Sequence, residues 1–281
     1  MLLSHIKTPT KKAYKMNSFL NNDQRPIGVF DSGLGGLTVL KNLIKELPNE
    51  SFVYLGDLIN LPYGNKSSEG VSNYAQDCTK FLLSKNVKSI IIACNTASAV
   101  AYEKIKNISP VPVFDVITPC IEEVVKNNKK KIAVLGTQKT IDSNIYNNSI
   151  KQDIKNITIY NIACPLFVPI VEEGLEKSNI SKSIVKYYLN DVRRQDIEQL
   201  ILGCTHYPIL FDDLNKFFNN KVDIIHSGPL VSKKIKSLLP FNNNGNHNVQ
   251  YYVTDLPEYF QKNGSKFLNK DIQNVKKINL G

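Results

Sequence analysis

The sequence predicts an α/β protein of two pseudo-symmetric lobes, each a mostly parallel sheet flanked by helices, with an active site in the cleft between them. Three observations carry this. Short aliphatic runs alternate with stretches of helical periodicity, the order that builds parallel sheets. Like residues recur at a nearly constant offset: Ile27 with Ile132 at 105, Tyr54 with Tyr160 at 106, Cys94 with Cys204 at 110. Such an offset marks a duplicated half. Finally, Ile90-Ile91-Ile92-Ala93-Cys94 and Leu200-Ile201-Leu202-Gly203-Cys204 each set a thiol after a buried strand. Open α/β sheets bind ligands at such strand ends.

The elements follow in order. Ile27-Gly28-Val29-Phe30 reads as a strand, Asp31-Ser32-Gly33-Leu34-Gly35-Gly36 as a turn, and Leu37, Leu40, Leu43, Ile44 and Leu47 as one helix face. Phe52-Val53-Tyr54-Leu55-Gly56 is a strand that runs into Asp57 and a Pro62-Tyr63-Gly64 loop. A polar-faced helix over 69–84 leads to the first cysteine strand, and 97–105 continues as helix. A strand is expected over 111–116. The cycle restarts with a strand at Ile132, a Gly136-Thr137 turn, and a helix through Ile141, Ile145 and Ile150. Thr158-Ile159-Tyr160-Asn161-Ile162 is the next strand, and Pro169 to Gly174 leads into a helix through Ile184, Tyr187 and Leu189. After the second cysteine strand come a helix to about 218, a strand over 222–226 and a helix over 229–239. An Asn-rich loop over 241–248, then Tyr251-Tyr252-Val253-Thr254 and the 272–278 region, close the chain. The expected division is a flexible extension at 1–24, a first lobe of 25–117 with 227–281, and a second lobe of 118–226.

Bulk properties exclude several classes. The 281 residues are 42% hydrophobic and 21% charged, as in ordinary globular proteins. No apolar run approaches the roughly 20 residues that span a bilayer, so no membrane partner is expected. The net charge of +10 comes from 35 Lys+Arg against 25 Asp+Glu. These are mostly scattered lysines without interleaved aromatics, so nucleic acid is not an expected partner. Five cysteines, an odd number with no CxxC pair and no zinc-like Cys/His spacing, argue against a disulfide framework and a metal site. They point to a reducing, cytoplasmic setting.

The chemistry gathers at three places. The loop after Phe30 fails the dinucleotide pattern G-x-G-x-x-G, because the third glycine position holds Thr38. It offers instead the Ser32 hydroxyl, backbone N–H groups and the Asp31 carboxylate. Cys94 stands before Asn95, Thr96 and Ser98 at a helix start, where the helix field favours a thiolate. Cys204 stands before Thr205 and His206, an imidazole able to exchange protons in the same cleft. Glu172 and Glu173 precede Gly174 after an apolar run, and one of these carboxylates could enter the cleft. Cys78, Cys120 and Cys164 lack both the strand-end setting and the polar neighbours and read as structural.

Two opposed thiols could form a redox disulfide, act as nucleophiles or move protons. Redox pairs are usually local in sequence, and nucleophilic catalysis leaves one thiol idle. Proton transfer at a stereocentre uses both, one on each face. No lysine stands in a pyridoxal phosphate setting, so no cofactor is expected.

Several motifs carry a resemblance: residues 27–36, Pro62-Tyr63-Gly64, Ala93-Cys94-Asn95-Thr96-Ala97-Ser98, Phe167-Val168-Pro169 with Glu172, and Leu202-Gly203-Cys204-Thr205-His206-Tyr207-Pro208. In order and together they resemble the glutamate racemases of the cofactor-independent aspartate/glutamate racemase superfamily, over about residue 25 to the C-terminus. The resemblance implies interconversion of L- and D-glutamate, supplying D-glutamate for peptidoglycan. It implies that Cys94 acts on the D-isomer with help from Asp31, and Cys204 on the L-isomer with help from His206 and Glu172. It also implies that Asp31, Ser32, Tyr63, Gly64, Asn95, Thr96, Thr205 and His206 bind substrate. Aspartate or broad-specificity racemases of the superfamily usually carry His at the position of Ser98 and Glu at that of His206, so this chain looks glutamate-like. A non-catalytic, two-lobed amino-acid-binding protein is the alternative of another class. A homodimer is left open.

Overall fold

The computed structural model describes residues 23–239 and 247–280. The extension expected over 1–24 lies outside them up to residue 22, as does most of the Asn-rich loop.

The first lobe opens with β1 (Ile27–Asp31), α1 (Leu37–Glu46) and β2 (Phe52–Gly56). Two 3-10 turns (Leu58–Asn60 and Tyr63–Asn65) lead to α2 (Ser68–Ser84), capped where Ser67 Oγ accepts from the Gly70 N–H. Then come β3 (Ser89–Ile92), α3 (Asn95–Ile108) and β4 (Val113–Asp115), after which α4 (Thr118–Asn127) crosses to the second sheet, where Cys120, Ile121 and Val124 join its core. The β4 strand is shorter than expected and starts after Pro112, which lacks the N–H a ladder needs.

The second lobe repeats the scheme with β5 (Lys131–Gly136), α5 (Gln138–Asp142), α6 (Ile145–Asp153) and β6 (Thr158–Ala163). The single helix expected through Ile141 and Ile150 is two, broken where Asn144 takes a left-handed conformation at φ 54. Next are α7 (Phe167–Glu172), a turn at Gly174 with φ 68, and α8 (Asn179–Arg193). Then follow β7 (Gln199–Gly203), a 3-10 turn (Tyr207–Leu210), α9 (Phe211–Phe217), β8 (Asp223–His226) and α10 (Ser227–Leu238). The chain ends with β9 (Val249–Val253), α11 (Pro257–Leu268) and the two-residue β10 (Lys276–Lys277). Helix α11 carries little sequence signal, because its apolar face is interrupted by Gly264 and many polar residues.

One sheet has the order β10-β9-β2-β1-β3-β4 and the other β6-β5-β7-β8. Every strand pairing in both is parallel. The four-stranded cores β2-β1-β3-β4 and β6-β5-β7-β8 are therefore the same arrangement twice. Register corrects one equivalence. Val29 pairs with Tyr54, while Val134 pairs with Asn161, so Asn161 and not Tyr160 matches Tyr54. Ile27 pairs with Ser89 and Ile132 with Gln199, which keeps Cys94 equivalent to Cys204.

Central strands are buried on both faces, as parallel sheets under helices require. The largest apolar cluster joins both lobes, running from Leu37, Leu40 and Tyr54 to Leu135, Leu202 and Tyr207. Separate clusters cover the outer face of each sheet, around Phe30, Ile90 and Leu82 in one and Val134, Ile150 and Ile201 in the other. Helix α10 packs back on α1 and α4, and α11 packs on α1. Among the described residues no helix is long and apolar enough to cross a membrane.

Candidate active site in the interlobe cleft

Each sheet reverses its strand order once, between β1 and β3 and between β5 and β7. The carboxyl ends beside such a switch point leave a crevice, and both cysteines stand there. Cys94 follows β3 by two residues and is the N-cap residue of α3. Cys204 follows β7 directly. Its downstream chain forms a 3-10 turn and not an α-helix, so Cys204 lacks the helix field that Cys94 has as the N-cap of α3.

The lobes meet at atomic contact. Thr38 Oγ1 donates to the Thr205 carbonyl at 2.9 Å, and Thr205 Oγ1 donates to Asp31 Oδ2 at 3.3 Å. Asn95 Nδ2 donates to the Tyr146 hydroxyl at 3.1 Å. The hydroxyls of Thr96 and Thr137 lie 2.9 Å apart, with Thr140 Oγ1 3.3 Å from Thr96. Gly35 makes the approach possible. A Cβ there would fall 2.2 Å from Thr205 Oγ1 and 2.5 Å from His206 Nδ1.

Between these contacts lies a cavity of about 30 Å³. It is lined by Ser32, Leu61, Pro62, Tyr63, Gly64, Cys94, Asn95, Thr96, Thr137, Val168, Cys204, Thr205 and His206. That volume suits a single water molecule and leaves no room for a larger ligand in this arrangement. Of the sequence-predicted site residues, Asp31 and Glu172 alone stand behind the wall. Four lining residues were outside the prediction: Leu61, Pro62, Thr137 and Val168. For Thr137 a signal existed, because the 105-residue offset carries Ser32 onto it.

The two thiols have different neighbours. Cys94 Sγ lies 3.7 Å from the Ser32 hydroxyl. Burial first, and the Asp31 charge second, push the Cys94 thiol up to about 12. Asp31 itself contacts the Gly33 N–H at 2.9 Å and Thr205, not Cys94. Burial raises the Asp31 carboxyl, opposed by the charge of His206 and by backbone N–H groups. On the other side, Cys204 Sγ lies 4.0 Å from His206 Nδ1, and His206 Nε2 lies 3.0 Å from Glu172 Oε1. Burial alone would lower the imidazole, but the sulfur and the Glu172 carboxylate outweigh it and raise His206 to about 10. The Phe267 ring of α11 packs edge-on against His206, with ring centroids 5.6 Å apart.

Other candidates fall elsewhere. The Ser98 hydroxyl donates to the Ile92 carbonyl at 3.1 Å. Cys78, Cys120 and Cys164 are buried in the packed interior, and all five cysteines are free. Among the described residues no group of three or more His, Cys, Asp or Glu side chains is arranged for a metal ion. Asn95 Oδ1 is buried without a hydrogen-bond partner. Asn95 is itself one of the residues that line the cavity.

Fold and site define a two-lobed α/β protein with paired strand-end thiols on one small interlobe cavity. The family model described as Asp/Glu/Hydantoin racemase matches residues 27–233, and the chain belongs to that family. It is 40% identical to a glutamate racemase of Aquifex aeolicus over 248 residues, 88% of this chain and 95% of the relative. Among solved structures, a glutamate racemase of Francisella tularensis in complex with D-glutamate is 40% identical, with a TM-score of 0.85, covering 92% of this chain and 98% of that one. A glutamate racemase isoform of Bacillus anthracis is 34% identical with a TM-score of 0.87, covering 91% and 98%.

Proposed function

We propose that this protein interconverts L- and D-glutamate without a cofactor, moving protons between the α-carbon and the opposed thiols of Cys94 and Cys204. The observation that carries the proposal is their placement: equivalent strand ends of two repeated lobes, both on one cavity, each with its own neighbours. The division into a first lobe of 25–117 with 227–281 and a second of 118–226 belongs to the same proposal.

From L-glutamate, the Cys204 thiolate takes the α-proton and the electron pair stays on the α-carbon, shared with the carboxylate. The Cys94 thiol delivers its proton to the opposite face. The products are D-glutamate, a Cys204 thiol and a Cys94 thiolate, and the reverse reaction restores the start. A Cys94 thiol held up to about 12 is protonated at neutral pH and ready to donate. His206, held at about 10, is cationic there and faces Cys204. Glu172 orients the imidazole from behind. The first N–H groups of α3 and the hydroxyls of Thr96 and Thr205 suit the substrate carboxylate, whose charge grows as the carbanion forms. Closing the lobes removes water and strengthens each of these interactions. D-glutamate made this way would feed peptidoglycan synthesis. A cytoplasmic setting is supported by five cysteines without a disulfide.

Circular dichroism of L- and D-glutamate, and of L- and D-aspartate, incubated with the protein tests the proposal. Loss of optical signal on glutamate, faster than on aspartate, supports it. A faster rate on aspartate, or binding without turnover, overturns it.

A further inference from the structure

A buried carboxylate that the thiol chemistry does not use stands behind the cavity wall. Asp57 follows β2, and its backbone N–H donates to the Asp31 carbonyl at 3.0 Å. Its side chain is fully buried. Three donors converge on it: the Tyr63 hydroxyl on Oδ2 at 2.6 Å, Thr254 Oγ1 on Oδ1 at 3.0 Å, and Asn60 Nδ2 on both oxygens at 3.2 and 2.9 Å. Thr254 Oγ1 in turn accepts from the Ile59 N–H at 2.9 Å. A carboxylate accepts and never donates, and charged acceptors hold their donors firmly.

What these bonds hold is one wall of the cleft. The chain from 58 to 65 holds two three-residue 3-10 turns joined by Leu61 and Pro62, too short to keep a shape unaided. Leu61, Pro62, Tyr63 and Gly64 all line the cavity. The Tyr63 hydroxyl is committed to Asp57, so Tyr63 meets the cavity with its ring and backbone. Its ring is further braced by Tyr74, with centroids 5.6 Å apart. Gly64 abuts the second lobe, where an added Cβ would lie 2.9 Å from Thr137 Cβ. A shift of Tyr63 therefore moves both the substrate wall and the contact between lobes.

We propose that Asp57 is a positioning residue for the reaction, setting the 61–65 wall through its hydrogen bond from the Tyr63 hydroxyl. The proposal rests on glutamate racemisation as the activity of this chain. Asp57 touches no reacting atom in this arrangement, so its loss weakens substrate binding and leaves the proton transfers intact.

The test is steady-state kinetics of Asp57→Asn with both enantiomers, with thermal unfolding in parallel. The expected result is a KM raised about 10- to 100-fold, a kcat within about threefold of the parent, and an unchanged pH profile of kcat. Tyr63→Phe should raise KM too, and the double variant should be no worse than the worse single one, because both cut the same link. If Asp57→Asn does not fold, Thr254→Val and Tyr63→Phe carry the same expectation, each removing one donor from the carboxylate. An unchanged KM, a fall in kcat at constant KM, or additive losses in the double variant overturn the proposal. A parent protein inactive on both glutamate enantiomers overturns the proposed function instead.

Discussion

Glu172 and Cys204 hold His206 between them, with Nε2 3.0 Å from the Glu172 carboxylate and Nδ1 4.0 Å from the sulfur. Nothing similar flanks Cys94, whose neighbours are a hydroxyl at 3.7 Å and a nearby buried carboxylate. The backbone of the site is repeated, but its chemistry is not. That difference suits a reaction whose two ends are mirror images at one carbon.

Glu172→Gln keeps the shape of the side chain and removes its charge. His206 then loses one of the partners that raise it, and kcat/KM for glutamate should fall about 10- to 100-fold. The two enantiomers have equal free energy, so kcat/KM must fall equally in both directions. The asymmetry should show in the primary isotope effect, which should grow more for α-deuterated L-glutamate than for the D-isomer. Equal growth for both would mean that Glu172 does not serve Cys204 alone.

His206 also links folding to pH. Its folded value, about 10, lies above the unfolded value of 6.5. The stability it contributes is therefore full below pH 6.5 and is lost as pH rises toward about 10. Urea midpoints measured across that range should fall for the parent protein and fall less for His206→Gln. Parallel curves would contradict the protonated imidazole.

Gly35 is required by the approach of the lobes. In Gly35→Ala the new methyl meets Thr205 and His206 and forces the lobes apart. Stability should drop by about 1–3 kcal/mol, while kcat/KM should drop about 100-fold or more. Thermal unfolding and racemisation measured on one preparation separate the two effects. A variant of near-parent activity would show that closure to this contact is not needed.

Thr137→Val removes the hydroxyl that meets Thr96 and also accepts from the Thr140 N–H as the α5 cap. The cap alone is worth about 1 kcal/mol. Substrate KM should rise with little change in kcat, because Thr137 lines the cavity without touching either thiol. A fall in kcat at constant KM would place Thr137 in the chemical step.

Much of this arrangement was legible in the sequence, because strands and strand ends are local features. The aliphatic runs before Cys94 and Cys204 gave both strands, and their constant offset gave the doubled sheet. Where the sequence misled, long-range contacts decided. Tyr54 and Tyr160 look equivalent as letters, yet sheet register pairs Tyr54 with Val29 and sets Asn161 opposite Val134. Helix α11 reads as polar chain, and it forms because Phe260, Phe267 and Leu268 find buried places in the core shared by both lobes. Asp57 resembles an ordinary turn residue until Thr254, 197 positions away, is seen donating to it. Thr137 is brought to Thr96 by the second lobe, and only its offset from Ser32 hints at that in the sequence.

The central claim is that each thiol serves one face of the α-carbon. Solvent deuterium wash-in with Cys94→Ala and Cys204→Ala tests it most directly. Neither variant should racemise glutamate. Cys94→Ala should still exchange the α-proton of L-glutamate, and Cys204→Ala that of D-glutamate, each without change of configuration. Racemisation at a near-parent rate in either variant, or exchange of both enantiomers by one remaining thiol, would contradict the two-thiol account.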